Sequence, residues 1–200
     1  LLMEHHSLDI EWGNHDILWM GAACGNKASI ANVIRNNLKY DNTRILENGY
    51  GISLRNLALF GEKTYKDKEP MDAALKAISV ILFKLEEQII CRHPEYEMNE
   101  RLLLSKINLN DFTIKTANSD LNNKNTITAN TDIKNNYNKN DTDTVSDSNC
   151  NSDCNPTELL YKLSDTDLPT INPDNPLALT EQENAIMDEL QAAFIGSNCL

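Results

Sequence analysis

One long amphipathic segment, Glu69 to Arg92, sets the main limit on how this chain can fold. Pro70 suits the first position of a helix, and His93-Pro94 ends the segment because the residue before a proline avoids the helical region. Apolar residues recur at helical spacing along its whole length: Met71, Leu75, Ile78, Leu82, Leu85 and Ile89. Val80, Phe83 and Ile90 widen this stripe. The pattern predicts a helix that is buried on more than one side.

Three further segments predict helices. Residues 27–40 carry an apolar stripe and follow Asn26, a residue type that caps helices well. A second helix is expected over residues 52–65. Near the end of the chain, Thr180 and Glu183 have capping-box spacing, which predicts a helix running to about Ile195. Together with residues 69–92, these segments predict a mainly helical chain.

Two segments with β-favouring residues, Arg101–Thr116 and Thr157–Ile171, predict the strands of a hairpin. Residues 116–156 lie between them and are dominated by Asn, Asp, Thr and Ser. Such a tract cannot bury enough apolar surface to offset the entropy lost on ordering. We predict a disordered insertion at the hairpin tip, which adds only slowly to the cost of loop closure.

Charge and cysteine content narrow the classes of partner. The chain carries 18 Lys and Arg against 30 Asp and Glu, a formal net charge of −12. Nucleic acid and anionic membranes attract clustered basic residues, so neither is an expected partner. No apolar run reaches membrane-spanning length. The five cysteines are odd in number and scattered, as in reducing compartments, so we expect a cytoplasmic protein. None of these features indicates the oligomeric state.

The residues best suited to catalysis or ligand binding lie near the start of the chain. Residues 8–12 alternate between apolar and acidic types, which predicts a short strand. Gly13 permits a sharp turn, and Asn14, His15 and Asp16 follow it directly, ahead of an apolar helical segment. A strand that turns into a helix here would place three polar side chains at the edge of a sheet, where open α/β sheets bind ligands.

These side chains suit phosphate chemistry with a metal ion. The Asn14 side chain offers a neutral carbonyl oxygen, a hard ligand for Mn²⁺ or Mg²⁺. His15 can donate a hydrogen bond to a phosphate oxygen or a proton to a leaving alkoxide, and Asp16 can hold that imidazole in the required tautomer. The alternative is a polar turn that only caps a helix, with Asn14 as the cap and Asp16 near the helix dipole. A four-residue motif leaves both interpretations open.

Two arginines are candidates for binding a substrate phosphate. The guanidinium groups of Arg44 and Arg55 match phosphate geometry well. Surface salt bridges are the alternative use for both residues.

The sequence resembles a known family in several places. Gly13-Asn14-His15-Asp16 after a strand is similar to the third signature block of the calcineurin-like metallophosphoesterases. Its flanks, LLMEHHSLDIEWGNHDILWMGAACGNKASIANVIRNNLKY and ENGYGISLRNLALF, resemble the class 3 fructose-1,6-bisphosphatases of bacteria. The likeness resumes at FKLEEQIICRHPEYEMNERLLL and LPTINPDNPLALTEQE. It leaves out the tract at residues 116–156.

The resemblance implies an α/β parent fold, a calcineurin-like β-sandwich flanked by helices. This chain would be an internal fragment of it, mainly α-helical with a few short strands. Residues 1–115 and 157–200 would belong to the catalytic domain, interrupted by residues 116–156. The fragment alone is expected to be inactive, because it holds one metal ligand where a dinuclear site needs several.

The implied activity is hydrolysis of fructose 1,6-bisphosphate to fructose 6-phosphate and phosphate in gluconeogenesis, with two Mn²⁺ ions activating water. By the motif, Asn14 would ligate a metal ion, His15 would lie next to the scissile phosphate, and Asp16 would orient His15. Two alternatives stay open: another calcineurin-like phosphoesterase acting on phosphoproteins or nucleotides, and a non-catalytic helical interaction domain.

Overall fold

The structure is a computed structural model that describes residues 4, 7, 9, 11–65, 68–116 and 159–197 of the 200-residue chain. It divides into two compact units. The first contains Leu1–Ile89 and Pro169–Leu200, and the second contains Ile90–Leu168. Apart from Thr116, the tract predicted to be a disordered hairpin tip lies outside the described residues.

The described part is mainly helical, as predicted. The helices, numbered in chain order, are α1 (Asn14–Ala23), α2 (Lys27–Lys39), α3 (Arg55–Thr64), α4 (Pro70–Arg92) and α5 (Glu181–Gly196). A short π-helix, Ile45–Gly49, lies between α2 and α3. The helices predicted from periodicity are all present, with ends within a few residues of those expected. None of the described helices has the length and apolarity needed to cross a bilayer.

The hydrophobic core of the first unit lies among these helices. The predicted stripe on α2 is buried, with Ile30 and Ile34 fully inaccessible. On α4, Ala77 and Ile81 are buried on faces outside the predicted stripe, which confirms burial on more than one side. The prediction was wrong for Met71, which is 47% exposed. At this first turn of α4, the face that enters the core carries small alanines instead.

Two helix caps predicted from the sequence are confirmed. The Asn26 side chain accepts a hydrogen bond from the Ser29 amide at 2.9 Å. Thr180 and Glu183 form a reciprocal capping box. The Glu183 amide donates to Thr180 Oγ1 at 3.2 Å, and the Thr180 amide donates to Glu183 Oε2 at 2.8 Å. Each contact satisfies amides that a helix start leaves without an intrahelical acceptor.

The strand predicted over residues 8–12 is not found in the described part of the chain. Glu11 and Trp12 have no regular secondary structure, while Leu8 and Ile10 lie outside the described residues. A strand needs a neighbour to satisfy its backbone hydrogen bonds. The strands that the structure describes pair only with one another, in the second unit.

The second unit contains the predicted hairpin. β1 (Ile107–Asn108), β2 (Thr113–Thr116) and β3 (Leu159–Lys162) form an antiparallel sheet in the order β1-β2-β3. The predicted pairing is that of β2 with β3, in which Thr113 faces Lys162. β1 adds a third strand that the sequence pattern did not separate from β2. Three single-turn 3₁₀ helices precede the sheet: Pro94–Tyr96, Asn99–Arg101 and Leu104–Lys106.

His93 lies directly after α4. Its amide donates to the Ile90 carbonyl at 3.1 Å, and its ring stacks on Tyr96 at 4.9 Å between centroids. Its Nδ1 lies 2.8 Å from Glu95 Oε1, and this hydrogen bond lowers the pKa of the Glu95 carboxyl below its ordinary value. These local contacts fit the predicted role of His93 at the end of the helix.

Close packing at one glycine gives a testable prediction. A Cβ atom at Gly61 of α3 would lie 2.7 Å from backbone atoms of Ala73 and Ala74 at the start of α4. Backbone cannot move aside as a flexible side chain can. We therefore expect Gly61→Ala to lower the free energy of unfolding by about 1–3 kcal/mol, although alanine favours helices by about 1 kcal/mol.

Equilibrium urea unfolding measures this effect, with Gly49→Ala as the control. Apart from its own neighbours along the chain, no described atom lies within 4 Å of a Cβ added at Gly49, so we expect the control to stay within about 0.5 kcal/mol of the wild type. Equal stability of the two variants would contradict close packing at Gly61.

Candidate functional site

The turn that begins α1 is closed by two hydrogen bonds. Gly13 is the N-cap, and its amide donates to Asp16 Oδ2 at 2.8 Å. The Asp16 amide donates to the Gly13 carbonyl at 3.0 Å. The backbone of Gly13 is extended, with φ −77° and ψ 155°, a conformation open to any residue. A Cβ at this position would lie 3.3 Å from Asp16 Oδ2. Glycine therefore makes room for the carboxylate, and the turn angle itself does not require it.

Asn14 and His15 are the first two residues of α1, and both are exposed. The capping interpretation named Asn14 as the cap, but the N-cap is Gly13 and the capping carboxylate is Asp16. The first amides of a helix lack intrahelical acceptors, and the helix dipole adds positive potential at this end. This exposed helix start is thus suited to an anion such as phosphate. The orienting contact from Asp16 to His15 stays a prediction.

A cleft of about 160 Å³ lies beside His15, between α1, α2 and the turn that follows α2. Its polar and aromatic lining consists of His15, Trp19, Asn36, Asn37, Tyr40 and Asn42. Leu18, Val33 and Ile45 supply the apolar part.

No motif in the sequence marks the residues of α2 that line the cleft beside His15. A signal was nevertheless present, because only residues 24–26 separate α1 from α2. So short a connection makes two helices antiparallel neighbours, and it places the end of α2 beside the start of α1.

The two candidate arginines differ in their position relative to the cleft. Arg44 is exposed and lies between Asn42 and Ile45, two residues of the cleft lining. Arg55 is exposed in the first turn of α3 and is not part of that lining. The phosphate contacts of both residues stay predictions. Arg44 is the better candidate of the two, because it lies next to residues that line the cleft.

The described residues do not assemble a complete metal centre. Among them, no three His, Cys, Asp or Glu side chains lie close enough together to hold a cation. The Asn14 amide oxygen is a donor of the right chemical type for a hard cation. The Asp16 carboxylate already accepts a hydrogen bond from Gly13. The role of Asn14 as a metal ligand stays a prediction.

Comparison with known proteins decides the family. The family model described as Firmicute fructose-1,6-bisphosphatase matches residues 1–147 and 134–200, which together include the whole chain and the tract at residues 116–156. This chain belongs to the Firmicute fructose-1,6-bisphosphatase family. The resemblance to the bacterial fructose-1,6-bisphosphatases is thereby confirmed, and the match includes the tract that the resemblance left out.

Curated relatives of the fructose-1,6-bisphosphatase family agree with this assignment. A class 3 fructose-1,6-bisphosphatase of Clostridium beijerinckii is 42% identical over 218 residues, covering 98% of this chain and 27% of the relative. Those of Clostridium tetani and of Clostridium botulinum strain Okra are 40% and 38% identical, each covering 100% of this chain and 27% of the relative. No solved structure matches the chain. The chain thus spans about a quarter of the length of these relatives, which fits the predicted internal fragment.

Proposed function

We propose that this chain forms part of the active site of a class 3 fructose-1,6-bisphosphatase. The enzyme would hydrolyse fructose 1,6-bisphosphate to fructose 6-phosphate and phosphate, as a step of gluconeogenesis. The match of the family model across the whole chain carries this proposal. The exposed Asn14-His15 pair supports it, because these residues stand at a helix start suited to phosphate.

The residues of the turn have distinct roles in this proposal. The start of α1 attracts the scissile phosphate through the helix dipole and through those backbone amides of the first turn that have no intrahelical acceptor. His15 donates a hydrogen bond to a phosphoryl oxygen or delivers a proton to the departing sugar oxygen. Asp16 holds the turn in shape through the Gly13 amide, which keeps His15 at a fixed position on the helix.

We further propose that Asn14 ligates a Mn²⁺ ion through its side-chain oxygen. Divalent ions in such enzymes supply a strong nucleophile at neutral pH and offset charge on the phosphoryl group. The remaining ligands would come from other parts of a calcineurin-like parent fold. The signature-like sequence Gly13-Asn14-His15-Asp16 supports that fold.

The Asn14→Ala variant of the full-length protein tests this proposal. We expect the Mn²⁺ concentration for half-maximal activity to rise at least about tenfold, since a ligand is removed. Activity is measured against fructose 1,6-bisphosphate, a phosphopeptide and a nucleotide, and the sugar bisphosphate should be the preferred substrate. Residues 1–200 alone should show no turnover.

The matched control is Asn184→Ala, which changes an exposed asparagine of α5 outside the turn and the cleft. An unchanged Mn²⁺ requirement in Asn14→Ala would remove this residue from the ligands. Preference for the phosphopeptide or the nucleotide would overturn the assigned substrate.

A further inference from the structure

Apart from His15 itself, the described lining of the cleft beside His15 is uncharged and strongly hydrogen-bonding. Three carboxamides, Asn36, Asn37 and Asn42, contribute to it, and no Asp, Glu, Lys or Arg is among its described lining residues. Each carboxamide offers both donors and an acceptor. This combination suits hydroxyl groups, which are themselves both donors and acceptors. In a chain of net charge −12, a lining without carboxylates also avoids repelling an anionic ligand.

The size and aromatic content of the cleft suit one sugar ring. Its volume is about 160 Å³, close to the about 150 Å³ that holds one small ring such as benzene, so a sugar ring fits with part of its substituents in the solvent. Trp19 and Tyr40 contribute amphipathic rings to the lining. Their apolar faces can pack against the C–H groups of a sugar while the carboxamides reach its hydroxyls.

Other contacts hold these groups in place before any ligand binds. Trp19 packs against Tyr50 at 5.1 Å and against the fully buried Phe194 at 6.2 Å between ring centroids. The Asn37 side chain donates to the Val33 carbonyl at 2.8 Å. A cleft whose walls are fixed by packing loses less entropy when it binds a ligand.

Asn36 and Asn42 are less buried than Asn37 and can hydrogen-bond to a ligand. Asn36 donates through Nδ2 to Asn32 Oδ1 at 3.1 Å, a bond that does not use its carbonyl oxygen. Asp41 adopts the left-handed conformation, with φ 55°, and turns the chain after α2. The Asn42 amide then donates to the Asn37 carbonyl at 2.8 Å, which brings Asn42 back to the end of that helix.

We infer that this cleft is the sugar subsite, in which Asn36 and Asn42 bind hydroxyls of the fructose moiety and Tyr40 packs on its ring. The inference rests on the proposed function, because it assigns the sugar to the site next to the phosphate contact of His15. It names specificity-determining residues for which the sequence held no motif. The inference would be wrong if another segment of the full-length polypeptide filled this cleft.

Calorimetric titration of the full-length protein with fructose 6-phosphate tests the inference, with inorganic phosphate titrated separately. We expect Asn36→Leu and Asn42→Ala each to raise the Kd for fructose 6-phosphate about three- to tenfold, the loss of one hydrogen bond. The Kd for inorganic phosphate should stay within about twofold, since phosphate alone makes no hydroxyl contact. Asn184→Leu on α5 is the matched control and should change neither affinity.

The possible results separate the inference from the proposed function. Unchanged binding of fructose 6-phosphate in both variants, or equal losses for both ligands, would overturn the inference, as would a wild type that binds no fructose 6-phosphate. Hydrolysis of fructose 1,6-bisphosphate by the wild type would support the proposed function in each of these cases. Selective loss of sugar binding in a protein without that hydrolysis would support the subsite and overturn the proposed activity.

Discussion

Lys84→Met is expected to lower the free energy of unfolding by about 3–5 kcal/mol, because it leaves a buried carboxylate without its counter-charge. The side chains of Lys84 and Glu183 are 0% and 1% exposed. Lys84 Nζ donates to Glu183 Oε2 at 2.8 Å and Oε1 at 3.1 Å, and to the Thr170 carbonyl at 2.7 Å. This one ammonium group therefore ties α4 to α5 and to the segment that leads into α5.

The same substitution at an exposed ion pair is the control for Lys84→Met. Lys27 Nζ lies 2.6 Å from Asp188 on α5, but the two side chains are 29% and 65% exposed. Solvent screens this pair, so Lys27→Met should change stability by less than about 1 kcal/mol. Equilibrium urea unfolding followed by circular dichroism measures both variants.

A double variant separates the missing charge from the missing packing. Lys84→Met combined with Glu183→Gln removes both charges, while the glutamine keeps an oxygen for the Thr180 amide. We expect it to recover part of the loss, since no ionised group stays buried and unpaired. A Lys84→Met variant as stable as Lys27→Met would show that the buried pair contributes little.

His15→Ala in the full-length protein should lower turnover of fructose 1,6-bisphosphate on the order of 10²-fold or more, the usual contribution of a general acid. The side chain is exposed at the start of α1, so its removal should leave the fold and the melting temperature unchanged. Steady-state kinetics with saturating Mn²⁺ gives the change in kcat, and circular dichroism confirms that the variant is folded.

His93→Ala is the matched control for His15→Ala. His93 is also a histidine at a helix terminus, but it is half-buried and its ring interacts with Glu95 and Tyr96. We expect its removal to leave kcat unchanged. An unaltered rate in His15→Ala would exclude this imidazole from the chemistry, and equal losses in both variants would point to a general effect of removing surface histidines.

Sequence periodicity was reliable where the interactions are local. Helix positions follow from residues three and four apart, and the caps at Asn26 and Thr180 join residues only three positions apart. The strand over residues 8–12 failed in the described residues for the opposite reason, because a strand depends on a partner that its own pattern does not specify. Alternation alone could not show whether that partner is present.

The candidate site likewise combines features that follow from the local sequence with features that depend on tertiary packing. The sequence placed Asn14 and His15 at the start of a helix and pointed to the family that the comparisons confirm. The short connection between α1 and α2 indicates that the end of α2 lies near the start of α1, but it does not indicate that the side chains of Asn36 and Asn42 line a cleft with His15. That proximity depends on how α1 packs against α2.

The sequence by itself therefore determined the helices, the caps at Asn26 and Thr180, the polar turn at Gly13 and the family to which the chain belongs. Only the tertiary structure decided which side chains meet across those helices: the Lys84–Glu183 pair, whose members are 99 residues apart, and the asparagines that line the cleft with His15. The physical reason is that local backbone preferences repeat every few residues. Contacts between helices depend instead on packing that brings distant parts of the chain together.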